Sequence, residues 1–75
     1  MKSIGNELYI SLCLKYKQEI QEYKTTLLIY FENSVGIGDH PNHLDEMDKL
    51  IEKMACADEK LKILEHSFKE NYSKL

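Results

Sequence analysis

The chain has 75 residues, a formal net charge of −3, 43% apolar and 31% charged residues, and one proline. That length allows a single small domain (1–75), too short to bury a large core without regular packing or a partner, and the apolar share excludes a disordered tail. All ten cationic residues are lysine, so the planar guanidinium fork that reads phosphates and guanine is absent and direct nucleic-acid binding is disfavoured.

Ser3 can cap a helix N-terminus. Beyond it Tyr9, Cys13, Tyr16, Ile20, Tyr23, Leu27 and Tyr30 follow at alternating steps of four and three, which is an a/d heptad stripe. No glycine or proline falls between Asn6 and Ser34, and Lys15, Lys17, Glu19, Gln21, Glu22 and Lys24 fill positions off the stripe. The spacing predicts one helix over about 4–32. Tyr9, Tyr16, Tyr23 and Tyr30 read as core with hydroxyls reaching its edge; the alternative is a tyrosine ladder offered to a partner helix.

Residues 33–41 hold two of the three glycines and the only proline, and form the connecting loop. Gly36 and Gly38 open backbone conformations closed to other residues, Asp39 or Asn42 can cap the next helix, and Pro41 suits a helix start. Glycine amides beside a helix N-terminus also suggest an anion site, but Asp39, Asp45, Glu46 and Asp48 crowd that end with negative charge. His40 and His43 with Asp39 raise the question of a metal. Three or four convergent ligands are the rule, and His66 lies far along the second segment, so solvated loop residues are favoured and no metal or cofactor is expected.

The second segment sets Met47, Leu50, Met54, Ala57, Leu61, Leu64 and Phe68 at steps of three and four, and predicts a helix over about 42–73. Acid-before-lysine pairs at Asp45/Lys49, Asp58/Lys62, Glu65/Lys69 and Glu70/Lys74 support it. Folded back, each stripe residue of the first segment meets one of the second whose number sums with it to 77, from Tyr30 with Met47 through Ile20 with Ala57 to Tyr9 with Phe68. The expected architecture is all-α, an antiparallel, coiled-coil-like two-helix hairpin roughly 45 Å long at about 1.5 Å of rise per residue.

Leu8, Ile10, Leu12, Leu14, Leu28, Ile29, Phe31, Leu44, Ile51, Ile63 and Tyr72 remain outside this seam. A hairpin alone cannot cover them, so dimerisation into a four-helix bundle is expected. Catalysis is not: Cys13 lies on the seam, Cys56 has no histidine near it in sequence, and two facing helices offer no cavity of the roughly 300 Å³ an active site needs. Both cysteines are expected as reduced thiols. The N-terminal residues resemble neither a signal peptide nor a membrane span, which makes the cytoplasm the expected location.

The stretch Tyr30-Phe-Glu-Asn-Ser-Val-Gly-Ile-Gly-Asp-His-Pro41, followed by His43-Leu-Asp-Glu-Met-Asp-Lys-Leu-Ile-Glu-Lys-Met-Ala55 and Ala57-Asp-Glu-Lys-Leu61, resembles the central part of short helical proteins of T-even-type tailed phages and their cyanophage relatives. In those a VGIG-D/E-HP turn precedes an acidic helix. The resemblance covers about residues 28–64 and not the first helix. It implies a phage protein made in the bacterial cytoplasm and brings no catalytic residues with it. The expectation is a non-enzymatic interaction module, an accessory or host-directed factor that binds a host or phage protein, with Leu8, Leu12, Val35, Ile37, His40 and Ile51 as partner-binding residues. The competing expectation is a nucleic-acid- or nucleotide-associated protein using the first helix's lysines and the glycine loop.

Overall fold

A computed structural model of the chain describes residues 3–33 and 42–72. It contains two helices, α1 (Ile4–Glu32) and α2 (His43–Phe68), which pack against each other as an antiparallel hairpin. The loop residues Val35, Gly36, Ile37, Gly38, Asp39, His40 and Pro41 lie outside the described residues.

The start of α1 follows the sequence expectation. Ser3 is the N-cap in extended conformation, and its Oγ accepts a hydrogen bond from the Asn6 N–H at 3.0 Å, satisfying one of the amides that have no partner within the first turn. Glu7 adds a negative charge where the helix dipole is positive. Thr25 and Thr26, β-branched residues of weak helix propensity, bond back to the carbonyls of Gln21 and Glu22 at 2.9 and 3.1 Å, an arrangement that lets short hydroxyls sit inside a helix. At the far end the Asn33 N–H closes on the Ile29 carbonyl at 2.8 Å. Asn42 takes the N-cap position of α2, its carbonyl accepting from the Glu46 N–H at 3.0 Å, and Asp45 and Glu46 complement the dipole there.

Both stripes face inwards. Tyr9, Cys13, Leu27 and Ala57 are buried, and Tyr16, Ile20, Tyr23, Tyr30, Met47, Leu50, Met54, Leu61 and Leu64 are half-buried. Fully burying a side chain such as Leu27 contributes about 1.5–3 kcal/mol, so these few positions carry most of the hairpin's stability. Of the seam tyrosines Tyr9 is thus buried, hydroxyl included, and the other three are half-covered. Lys60 Nζ lies over the Tyr16 ring, 5.8 Å from its centre, a cation against the ring's negative face.

Three details differ from the sequence expectation, and two share one cause. The second helix stops at Phe68 instead of continuing to about 73: the Asn71 N–H donates to the Phe68 carbonyl at 2.9 Å, three residues back, and shares it with the Tyr72 N–H at 3.2 Å, and residues 69–72 form turns and a bend. This brings Tyr72 onto Tyr9, ring centroids 5.9 Å apart and stacked, while Phe68, expected opposite Tyr9, is 48% exposed. Ile10, expected among the uncovered residues, is the third difference: it is 9% exposed. It follows the seam residue Tyr9 by one position. At the loop end Tyr30 meets His43 edge-on, centroids 5.9 Å apart, one helical turn before Met47.

The product is slender, 54 × 19 × 15 Å, with a radius of gyration of 16.4 Å. A compact domain of this length has a radius near 11 Å.

Candidate interaction surface

A step of one residue turns a helical side chain by about 100°. In an antiparallel pair, a step forward from the seam turns both helices towards the same flank. Leu28 and Phe31 follow the seam residues Leu27 and Tyr30; Leu44 and Ile51 follow His43 and Leu50. These four therefore share one flank at the loop end of the hairpin. Phe31 is 69% and Leu44 81% exposed, and Leu28 and Ile51 are about half exposed. Along that flank α1 also carries Lys17 and Lys24, while α2 carries Asp48, Asp58, Lys62 and Glu65.

A step backward from the seam reaches the opposite flank. There Leu8 and Leu12, which precede Tyr9 and Cys13, lie exposed with Ile63, which precedes Leu64. The partner-binding residues expected from the sequence are thus divided. Leu8 and Leu12 are neighbours on one flank, whereas Ile51 lies on the other and some 20 Å along the axis, by the helical rise. Val35, Ile37 and His40 lie outside the described residues. Phe31, Leu44 and Leu28 complete the surface around Ile51; the signal for them was their equivalent phase beside the seam, which becomes a shared flank only once the helices are known to be antiparallel.

Two ion pairs among the described residues lie on the surface. Asp58 Oδ2 and Lys62 Nζ are 2.8 Å apart, and Lys15 Nζ and Glu19 Oε2 are 3.1 Å apart. The hydrogen bond and then the charge of Asp58 raise the Lys62 pKa, and Glu19 does the same for Lys15. Cys13 is a buried free thiol and Cys56 an exposed one. A concavity of about 460 Å³ does exist, larger than two facing helices were expected to allow. It is an open trough along the outside of α2, lined by Asp58, Glu59, Lys62, Ile63, His66 and Ser67, and receives no wall from α1.

Among the described residues no group of three or more His, Cys, Asp and Glu side chains is placed to hold a metal ion, and no helix is long and apolar enough to cross a membrane. No protein-family model, curated protein or solved structure matches the chain.

Proposed function

We propose that the chain is a small protein-interaction module that works as a homodimer, two hairpins forming a four-helix bundle, and that acts by binding rather than by catalysis. The observation that carries this is its surface. The accessible area is 5903 Å², against about 4,800 Å² for a compact monomer of 8.8 kDa by the usual size scaling. The excess, about 1,100 Å², is comparable to what one subunit of a stable dimer loses on association. Much of the exposed surface is apolar, with Phe31, Leu44, Leu8 and Ile63 all more than half exposed.

A dimer through the loop-end flank leaves Leu8, Leu12 and Ile63 on the outside as a surface for a different protein. The resemblance of residues 28–64 to short phage proteins supports a setting in the bacterial cytoplasm, with a host or phage protein as that partner and an accessory or host-directed role. Size-exclusion chromatography with light scattering is expected to give twice the chain mass at micromolar concentration. A monomer at all concentrations, binding no hydrophobic dye, would refute the proposal. Leu12→Glu is expected to remove partner capture from a bacterial lysate while leaving the dimer intact; equal capture by both forms would place the partner elsewhere.

A further inference from the structure

We infer that the two copies associate side by side with their loop ends together, through the flank of Leu28, Phe31, Leu44 and Ile51, so that α1 of each copy lies against α2 of the other. This rests on the proposed dimer and adds its face and its polarity. The choice of face comes from exposure: Phe31 and Leu44, at 69% and 81%, are among the most exposed large apolar side chains of the described residues, and both belong to this flank. Four such residues at one end form a patch on the order of 500 Å², the size that in a monomer marks an interaction site.

The polarity comes from charge. A two-fold axis parallel to the hairpin sets α1 opposite the partner copy's α2 at the same height. Lys17 and Lys24 then face a flank of α2 that carries three acids, Asp48, Asp58 and Glu65, against one lysine, Lys62, which is already paired with Asp58, and the apolar patches coincide at the loop end. A two-fold axis perpendicular to the hairpin instead sets α1 against α1. It brings the lysines of the two copies together and moves Phe31 away from its counterpart's patch, to the opposite end of the bundle. Like charges across an interface disfavour the second arrangement, and opposite charges favour the first. In the first arrangement every helix is antiparallel to its neighbours, as in an up-down four-helix bundle. Cys56, one residue before Ala57, points to the far flank and stays exposed in the dimer.

The test uses the full chain with Cys56→Ser and a single spin label at Glu32→Cys or, separately, Ser11→Cys, both on the outer face of α1; Cys13 is buried and remains unlabelled. With interaxial distances of 8–10 Å, both label pairs are expected at about 30 Å. Head-to-tail copies would separate the residue-32 labels by more than about 40 Å, and copies overlapping only at their loop ends would do so for the residue-11 labels; either result overturns the inference. Phe31→Glu and Leu44→Glu are expected to raise the dimer dissociation constant at least tenfold, and Leu8→Glu to leave it unchanged. A dimer insensitive to Phe31→Glu overturns the face alone, whereas a monomeric parent chain overturns the proposed dimer itself.

Discussion

A Cβ on Gly5 would stand 2.9 Å from Cε1 of Tyr72, so the absence of a side chain in the first turn of α1 lets the Tyr72 ring settle over Tyr9. Replacing a helical glycine by alanine ordinarily stabilises by up to about 1 kcal/mol, and an aromatic pair contributes about 0.5–1.5 kcal/mol beyond its buried area. In Gly5→Ala these effects oppose each other, and the net change in unfolding free energy is expected to be near zero. In a Tyr72→Ala background the ring is gone, and the same substitution is expected to stabilise by about 0.5–1 kcal/mol. Equal effects in both backgrounds, measured by urea unfolding, would show that the ring does not rest on Gly5. Leu27 gives the contrasting case of a plain core residue. It is 4% exposed, and Leu27→Ala is expected to cost about 2–3 kcal/mol in the same measurement, against less than about 0.5 kcal/mol for Lys24→Ala on the surface.

Ser3 fixes where α1 begins, and its loss is an effect on the whole element. Ser3→Ala is expected to destabilise by about 1 kcal/mol and to speed hydrogen exchange at the Asn6 amide before any other in the helix. On α2 the Asp58–Lys62 pair raises the lysine pKa above its ordinary 10.5. A raised folded-state value means that the contribution is fully present below 10.5 and is lost as pH rises through the folded value. The difference in melting temperature between the parent chain and Lys62→Gln is therefore expected at neutral pH and should vanish at strongly alkaline pH. Its size is small, because both groups are solvated.

Such local signals also explain what the sequence made legible. The bounds of α1 followed from Ser3 and an unbroken heptad stripe, and the inward faces of both helices from periodicity alone. The end of α2 did not follow: Phe68 continues the stripe and Glu65 precedes Lys69 at helical spacing, so every local indication favours more helix. The end goes with a contact of Tyr72 with Tyr9 and Gly5, residues at the other end of the chain, which no local pattern encodes. The surface around Ile51 was half legible. Phe31 and Leu44 were recognisable as apolar residues off the seam, but only the antiparallel packing turns two separate phases into one flank.

At the scale of the whole molecule, the slender shape and the excess surface make stability depend on concentration. Only Tyr9, Ile10, Cys13, Leu27 and Ala57 are buried among the described residues, a thin core for a chain that must offset the entropy of ordering two long helices. If the second copy supplies the missing core, folding and association form one equilibrium, and mass action moves the melting temperature. A tenfold rise in protein concentration adds about 1.4 kcal/mol per dimer. Shared between two small chains, that corresponds to an increase of about 3–6 °C by the usual conversion for domains of this size. Leu44→Glu puts a carboxylate in the apolar patch and is expected both to lower the melting temperature and to abolish its concentration dependence, with helicity at low temperature retained. Calorimetry at three concentrations of each protein distinguishes the cases. A parent chain whose melting temperature does not move would mean that the hairpin is stable alone, and the surface at Phe31 and Leu44 would then have to be covered by a different protein.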